Sequence, residues 1–299
     1  MQSLFHGSYV ALPTPFRDGR LDLGAFEELI EFHCAHHTDG IVVAGTTGES
    51  TTMNEFERRS LIHAAVDFSR SRLPVIAGVG TNCTHTSVEL ARFADSTGVD
   101  GLMVVAPYYN CPGRRGLLQH FGRIADATDS PMLLYNVPSR TGSDLDPELA
   151  CELAARHESI VAIKEASGEV ERVARLREGS ELAVLCGEDR LMRPMSMLGA
   201  VGAVNVTGNL VPNEVAELLL ASRPGGNEQR AGELEEQLAP LVRDLFIEVN
   251  PVPLKAALAH LGRCANEVRS PLAPLEDENH RQLVATVEAF ALEHELIGS

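Results

Sequence analysis

At 299 residues the chain is long enough for one large domain or two smaller ones, and its 44% hydrophobic and 22% charged residues are typical of a globular protein. The formal net charge of −17 argues against binding to nucleic acid, which requires clustered lysine and arginine side chains. No apolar stretch approaches the roughly 20 residues needed to cross a bilayer, and the N-terminal segment lacks the basic and apolar regions of a signal peptide. The sequence therefore predicts a cytoplasmic protein that does not bind a membrane.

Short apolar runs of the β type recur along the chain, each closed by a small or polar loop. Each is followed by a segment with a helical pattern, for example 23–37 and 54–70, where apolar residues occur at helical spacing. Asn54, followed by Glu55 and Glu57, suits the N-terminus of a helix. The predicted strands are 8–12, 40–44, 73–78, 101–106, 131–135, 159–163, 182–186 and 201–206.

Eight near-regular βα units predict a closed (β/α)₈ barrel, the TIM barrel. The runs are apolar throughout, without alternation, as expected for parallel strands that are covered on both faces. A doubly wound open sheet is the competing topology. The count of eight favours the barrel, and so does the absence of a G-x-G-x-x-G phosphate loop after the first strand.

The pattern changes after the segment 223–229. From there to the end of the chain no β-type run occurs, and helical periodicity covers 229–249, 252–262 and 276–296. The sequence predicts a barrel over residues 1–224 that carries the active site, followed by a helical appendage over residues 225–299.

Lys164 is the leading candidate for a reactive residue. The chain contains 25 lysine and arginine residues, of which only Lys164 and Lys255 are lysines. Lys164 closes the sixth predicted strand, where partial removal from water favours a neutral amine. Such an amine can condense with a ketone to an imine, which arginine cannot do. From the residues alone, a salt bridge with Glu165 is the alternative, although Glu165 should point to the opposite face of the strand.

Loops at the same end of the predicted barrel carry further polar groups, at 45–50, 107–110, 135–142 and 187–189. Tyr135 ends the fifth strand, next to the sixth, so its phenol can reach the region of Lys164. A phenol both donates and accepts a proton and suits a proton shuttle. A ring that only packs in the barrel rim is the alternative.

Metal binding is not predicted. His33 and His37 are four residues apart on a predicted helix, a spacing that can bind a metal, but no third ligand is in view. Cys186 lies close to the expected site without a base beside it, and we interpret it as a packing residue.

Several motifs occur in a fixed order along the chain, and together they carry a family resemblance. They are GTTGES (45–50), PYYN (107–110), LLYNVPSRTG (133–142), AIKEASG (162–168), VGAVNVTGN (201–209) and NPVPLKAAL (250–258). Over essentially its whole length the chain resembles the dihydrodipicolinate synthases (4-hydroxy-tetrahydrodipicolinate synthases), within the pyruvate-dependent class I aldolases that include N-acetylneuraminate lyase.

The resemblance implies roles for eight site residues and for one interface residue, Tyr108. Lys164 would form the imine with pyruvate, and Tyr135 and Thr46 would relay protons. Tyr109 would cross a subunit interface to complete a neighbour's relay, whereas Tyr108 would belong to the interface itself. The pyruvate would be bound by Thr47 through its side chain and amide, and by backbone groups of Gly187 and Val204. Arg140 would bind the carboxylate of the second substrate.

Arg140 favours L-aspartate 4-semialdehyde as that second substrate, because a guanidinium binds a carboxylate in bidentate fashion. In the family that the chain resembles, the sialic-acid lyases lack an arginine at this position, so Arg140 makes the chain more similar to the synthases. A lyase for 2-keto-3-deoxy sugar acids or N-acetylneuraminate is the first alternative, and a non-catalytic barrel that binds keto acids is the second. Arg140 could also be a loop residue tied to Asp144 or Asp146.

The resemblance also implies the assembly and the regulation. No metal or organic cofactor is expected, because the imine itself withdraws electrons, and a homotetramer built as a dimer of dimers is expected. Ser50, Asn82 and Tyr108 match the site at which many synthases bind lysine as an inhibitor. The glutamate that would bind the inhibitor's amino group is replaced by Thr86, so weak or absent inhibition by lysine is predicted.

Overall fold

The computed structural model describes residues 4–293, and its centre is a closed barrel of eight parallel strands. Each predicted strand is present, within one or two residues of its expected bounds. The barrel strands are Gly7–Ala11, Gly40–Val43, Val75–Gly78, Gly101–Val105, Met132–Asn136, Ile160–Glu165, Ala183–Cys186 and Gly202–Asn205. The prediction of a TIM barrel is therefore confirmed.

The strands follow one another around the barrel in chain order, and the first pairs with both the second and the eighth. Parallel pairing places the C-terminal ends of all eight strands at one rim. The fifth and sixth strands are neighbours, and their register sets Tyr135 opposite Lys164 and Asn136 opposite Glu165. This register brings two predicted site residues to one point of the rim.

Helices cover the outside of the barrel. The helix Glu55–Ser69 begins at a capping box, in which Asn54 accepts a hydrogen bond from the Glu57 amide and Glu57 accepts one from the Asn54 amide, each at 3.0 Å. This confirms the N-terminus expected at Asn54. The α-helices outside the barrel are Leu23–Ala35, Glu55–Ser69, Thr84–Thr97, Arg114–Ala125, Pro138–Thr141, Pro147–Arg156, Arg172–Gly179, Met192–Met197 and Pro212–Ala221, with 3₁₀ turns at Ser50–Thr52, Asp189–Leu191 and Thr207–Asn209.

A short antiparallel hairpin, Phe16–Arg17 with Arg20–Leu21, was not predicted. Its turn is Asp18–Gly19, and both residues have positive φ angles, 52° and 74°. Aspartate followed by glycine is the sequence signal for such a turn. Strands of two residues are too short to show the alternation that identifies a strand.

The hydrophobic core has two layers. The larger lies between the strands and the helices, and the smaller fills the barrel interior. Phe5 and Tyr9 belong to the interior layer, and a Cβ added at Gly101 or Gly40, the first residues of two strands, would collide with their rings. Because these rings fill the N-terminal end of the barrel, open space remains at the C-terminal rim.

The C-terminal region is helical as predicted, with helices Glu228–Leu245, Val252–His260 and Asp277–Glu293 and no strand among its described residues. Positions 294–296 of the third predicted helix lie outside the described residues. Glu267 accepts hydrogen bonds from the amides of Asp18 and Gly19 at 2.9 and 2.7 Å, which fixes this region to the hairpin. The division into units 1–224 and 225–299 stays a prediction. No helix within residues 4–293 is long and apolar enough to cross a membrane.

Candidate active site

Lys164 and Tyr135 lie side by side at the C-terminal rim. Lys164 is 6% exposed, and its Nζ is 4.4 Å from the centroid of the Tyr135 ring. Their paired positions on neighbouring strands place both side chains on the same side of the sheet, and both line the cavity inside the barrel. The amine is thus held away from bulk water and next to a phenol that can exchange protons.

Glu165 is not the partner of Lys164. It faces the helical layer, where it accepts hydrogen bonds from the Ser167 amide at 2.7 Å and from Asn136 Nδ2 at 3.2 Å. Burial raises the pKa of Glu165, and the hydrogen bonds with Ser167 and Asn136 oppose that increase. Within the described chain no ion pair involves Lys164. The salt-bridge alternative is therefore absent here, and the amine is available for chemistry.

Gly187 makes room for the lysine side chain. A Cβ added there would lie 2.7 Å from the Ala166 Cβ and 2.9 Å from the Lys164 Cε, closer than real Cβ contacts. The Gly187 amide donates a hydrogen bond to the Glu165 carbonyl at 2.8 Å, so the backbone cannot easily move away. Any larger residue at this position would displace Lys164.

A cavity of about 240 Å³ surrounds the lysine, and we call it the barrel cavity. Seven of the eight predicted site residues line it, and Tyr109 does not. Those seven are Lys164, Tyr135, Thr46, Thr47, Arg140, Gly187 and Val204. A second cavity of about 240 Å³ shares Thr46, Tyr135 and Arg140 with it and extends to Ser50 and Tyr108.

Arg140 is an exposed arginine at the rim of both cavities, on the one-turn helix Pro138–Thr141. The two aspartates that could have bound it have other partners. Asp144 pairs with Arg172 at 2.7 Å, and Asp146 lies 3.6 Å from Arg114. None of the described carboxylates forms an ion pair with Arg140, so its guanidinium is free to bind an anionic ligand.

The comparisons with known proteins fit this site. The model of the "Dihydrodipicolinate synthetase family" matches residues 4–290. The chain belongs to this family. The 4-hydroxy-tetrahydrodipicolinate synthase of Pelobacter propionicus is 43% identical over 291 residues, which cover 97% of this chain and 100% of the relative. The predicted family is confirmed.

Two solved structures from the family share this fold. The dihydrodipicolinate synthase from Aquifex aeolicus has a TM-score of 0.94 at 42% identity, covering 96% of this chain and 99% of that one. The chloride-inhibited synthase from Acinetobacter baumannii, complexed with pyruvate, has a TM-score of 0.92 at 37% identity, covering 96% and 99%.

Thr47 is held by the C-terminal region, which was not expected to reach the site. Asn250 Nδ2 donates to the Thr47 Oγ1 at 2.9 Å, and Asn250 and Phe246 both line the barrel cavity. The motif NPVPLKAAL begins at Asn250, so a signal was present in the sequence. Its position against the GTTGES loop depends on how the appendage packs.

Lys255 also contacts the GTTGES loop. Its side chain is fully buried, forms an ion pair with Glu49, and donates a hydrogen bond to the Glu267 carbonyl at 2.8 Å. Glu49 has a φ of 52°, the left-handed region, and also accepts from the Arg269 amide at 2.9 Å. The second lysine thus fixes the backbone that follows Thr46 and Thr47.

Glu188 is a further cavity residue that was not predicted, although its loop was. Burial raises the pKa of its carboxyl, and the positive charges of Arg190, Lys164 and Arg140 oppose this increase. The sequence shows two acids side by side at 188 and 189 and does not tell which of them faces the cavity.

Tyr109 lies outside both cavities. Its side chain is 91% exposed, its φ is 75°, and its amide donates to the Thr141 carbonyl at 3.2 Å. An exposed ring on a backbone in the left-handed region agrees with a residue that points away from its own subunit. Its predicted role across an interface stays a prediction.

Of the remaining candidates, His33 and Cys186 have packing roles. His33 is buried with its Nδ1 3.0 Å from the Thr38 Oγ1, whereas His37 is exposed. Cys186 lies in the core between barrel and helices, as expected, and its Sγ donates to the Glu188 carbonyl. No group of three or more potential metal ligands occurs between residues 4 and 293.

Proposed function

We propose that this chain condenses pyruvate with L-aspartate 4-semialdehyde to 4-hydroxy-tetrahydrodipicolinate through an imine on Lys164. The observation that carries the proposal is the buried amine of Lys164, free of a carboxylate partner within the described chain and 4.4 Å from the Tyr135 ring. Membership of the dihydrodipicolinate synthetase family supports it. The enzyme is then a class I pyruvate aldolase, a lyase that acts in the synthesis of diaminopimelate and lysine.

The chemistry needs only the lysine and proton transfer. The Nζ of Lys164 attacks C2 of pyruvate, and loss of water gives the protonated imine. The imine withdraws electrons, C3 loses a proton, and the resulting enamine attacks the aldehyde carbon to form the new C–C bond. The amino group of the second substrate then attacks C2, which closes a six-membered ring and releases the Lys164 amine.

Proton transfer in these steps falls to hydroxyl groups near the amine. Tyr135 and Thr46 both line the barrel cavity and can each donate and accept a proton. Tyr109 of a neighbouring subunit completes the relay in this proposal, because its exposed ring is directed outward.

Pyruvate is bound through its carboxylate by Thr47, by the Oγ1 and the backbone amide. Backbone groups of Gly187 and Val204 line the other side of the barrel cavity. Asn250, which donates to Thr47, holds that hydroxyl in place. Preorganised groups of this kind lower the cost of ordering the substrate.

Arg140 binds the carboxylate of the aldehyde. Its guanidinium has no ion-pair partner among the described residues and stands at the rim where the second substrate must enter. A bidentate pair with a carboxylate is the contact for which a guanidinium is best shaped.

No cofactor is needed in this proposal, because the protonated imine is the electron sink. We further propose a cytoplasmic homotetramer, arranged as a dimer of dimers, in which the exposed Tyr109 of one subunit reaches the site of its neighbour.

Borohydride trapping tests the imine. Reduction of the imine formed with pyruvate should leave a 1-carboxyethyl group on the peptide that contains Lys164 and leave the peptide with the buried Lys255 unmodified. An unmodified Lys164 peptide would rule out the imine mechanism and favour a non-catalytic barrel that only binds keto acids. A panel of aldehydes then identifies the substrate. Preference for a sugar aldehyde or N-acetylmannosamine over aspartate semialdehyde would show that the enzyme is a sugar-acid lyase and not a synthase.

Weak or absent inhibition by lysine is predicted for the same enzyme. Ser50 and Tyr108 line the second cavity, but Thr86 replaces the glutamate that would bind the inhibitor's amino group. The measurement is the initial rate against lysine concentration. Inhibition of the purified enzyme at sub-millimolar lysine would contradict the prediction.

A further inference from the structure

Much of the wall of the barrel cavity is apolar. The side chains that form this part of the wall are each at most 6% exposed, and they are Ala11, Val42, Met103, Ala166, Val204 and Val206. Among the described residues, three charged side chains line the same cavity, and two of them, Arg140 and Glu188, are exposed or half-buried. Lys164 is the third and is 6% exposed. The amine therefore lies in surroundings of low polarity.

A protonated imine on Lys164 would place a positive charge among these apolar side chains. A step that converts a cation and an anion into neutral groups is favoured there, because charges are poorly solvated where polarity is low. In the proposed function C3 of the imine loses a proton. A carboxylate on C3 can leave in its place as neutral CO₂, and the electrons of the broken bond then neutralise the imine. Both steps give the same enamine.

The cavity has space on the face of C3 from which a carboxylate must depart. The enamine attacks an aldehyde perpendicular to the imine plane, and a C3 carboxylate is lost along the same direction. The barrel cavity, about 240 Å³, extends from Lys164 to the exposed side chains of Ser139 and Arg140. A face that holds an aldehyde in the proposed function also accommodates the smaller carboxylate, and CO₂ can leave through the rim.

We propose that the protein also decarboxylates 2-keto acids that carry a carboxylate on C3, of which oxaloacetate is the simplest. The inference rests on the imine of the proposed function and adds a second reaction of the same amine. The Nζ of Lys164 attacks C2 of oxaloacetate, and loss of water gives the protonated imine. The C3–C4 bond then breaks, its electron pair forms the enamine, and CO₂ departs.

A proton donor completes the reaction. The ring centroid of Tyr135 is 4.4 Å from the Lys164 Nζ, and the hydroxyl of Thr46 lines the same cavity. Tyr135 donates a proton to C3 of the enamine, and water hydrolyses the resulting imine to pyruvate and the free amine. Oxaloacetate and one proton thus give pyruvate and CO₂, and no oxidant or reductant is required.

The lysine content of the chain allows the reaction to be assigned to one residue. Lysines on a protein surface can also form imines with keto acids. This chain has only two lysines, and Lys255 is fully buried and paired with Glu49. Lys164 is the lysine that a keto acid in the barrel cavity can reach, so a loss of decarboxylation in Lys164→Ala identifies the reactive amine.

The rate of CO₂ release from oxaloacetate tests the inference. The assay contains a chelator, because free divalent cations decarboxylate oxaloacetate by themselves. With wild-type protein and saturating oxaloacetate we expect a rate roughly 100-fold above spontaneous decarboxylation, the scale of acceleration from a positioned proton donor. Lys164→Ala should release CO₂ at the spontaneous rate. Arg123→Met is the matched control for a lost positive charge, because Arg123 is exposed and does not line the barrel cavity, and it should keep the wild-type rate.

Borohydride trapping with oxaloacetate shows whether CO₂ is lost on the enzyme. Lactate dehydrogenase and NADH are included to remove free pyruvate. The peptide that contains Lys164 should then carry a 1-carboxyethyl group, which comes from an imine that has already lost CO₂. A 1,2-dicarboxyethyl group comes from an imine that still has both carboxylates.

The outcomes separate this inference from the proposed function. CO₂ release at the spontaneous rate by the wild type, equal rates for wild type and Lys164→Ala, or the 1,2-dicarboxyethyl adduct alone would overturn the second activity. If pyruvate is trapped on Lys164 and condenses with aspartate semialdehyde while oxaloacetate is not decarboxylated, the proposed function stands without it. If pyruvate is not trapped on Lys164, the proposed function itself fails.

Discussion

Lys164 and Lys255 are the two lysines of the chain, and each occupies a position that arginine would not fill. Lys164 offers an amine that can become a nucleophile, which a guanidinium cannot. Lys255 is fully buried between Glu49 and the Glu267 carbonyl, where its compact ammonium group fits. The guanidinium of an arginine has five N–H donors, and several of them would lack an acceptor there. One lysine is proposed for the reaction, and the other holds the loop that faces it.

Gly187→Ala tests how closely the lysine is confined. The new Cβ would lie 2.9 Å from the Lys164 Cε, so the amine must shift, and we expect roughly a 100-fold lower rate of imine formation. The rate of borohydride trapping with pyruvate measures this directly. Gly113→Ala is the control, because a Cβ there meets nothing within 4 Å and should leave the rate unchanged. Equal rates for wild type and Gly187→Ala would show that the lysine can move aside freely.

At the scale of elements, the C-terminal ends of the strands supply the polar groups and the appendage fixes one of their loops. Asn250 contacts Thr47, and Lys255 contacts Glu49, so two residues of the NPVPLKAAL motif hold two residues of GTTGES. The appendage is thus part of the candidate site. Because the GTTGES backbone is proposed to bind pyruvate, these contacts couple helix packing to substrate binding.

Lys255→Met should destabilise the protein by about 3–5 kcal/mol, the cost of leaving a buried carboxylate without its partner. Glu49 is the carboxylate concerned, and it is 3% exposed. Urea unfolding followed by circular dichroism measures the free energy. Lys164→Met is the matched control, since Lys164 has no ion pair in residues 4–293, and it should change stability by less than about 1 kcal/mol. Equal losses in the two variants would mean that the Glu49 pair does not stabilise the fold.

At the scale of the whole molecule, the exposed Tyr109 predicts complementation between subunits. Tyr109→Phe and Lys164→Ala proteins should each be inactive, and a mixture allowed to exchange subunits should regain about a quarter of wild-type activity. Half of the dimers are then mixed, and each has one complete site. Each variant mixed with itself is the control. No recovered activity would place Tyr109 in its own subunit's site or outside catalysis.

Two buried histidines predict how stability depends on pH. Burial lowers the pKa of His33 to about 3 and that of His120 to about 4. As the pH falls below about 6.5, these groups are protonated in the unfolded chain but not in the folded one. Each should therefore reduce the free energy of unfolding by about 1.4 kcal/mol per pH unit until its folded pKa is reached.

The difference between wild type and His120→Phe isolates one of these contributions, because the other titrating groups are common to both. The free energy of unfolding of each protein is measured by urea titration at several pH values from 7 to 5. Near pH 7 the difference between the two values should not depend on pH. Below pH 6.5 the wild type should lose stability relative to the variant. A difference that stays constant to pH 5 would contradict the predicted titration of His120.

Much of the fold was predictable because its signals are local. Eight apolar runs, each followed by a helical pattern, give a barrel through short-range periodicity. The short hairpin at Asp18 and Gly19 was missed because its strands have two residues each. Among the candidate site residues, Lys164 and Tyr135 lie side by side as expected, because each is at the C-terminal end of its strand and these ends meet at one rim.

The sequence by itself determined the number of βα units, the rim at which the candidate site lies, and the family. Only the tertiary structure decided which charged groups are free and which are paired. Arg140 is unpaired in the described chain because Asp144 pairs with Arg172, and Glu188 faces the cavity while Asp189 does not. These pairings depend on contacts between residues far apart in the chain, which a local sequence pattern does not show. Lys164 became accessible to a ligand for the same reason, since the register that sets it beside Tyr135 exists only once the barrel has closed.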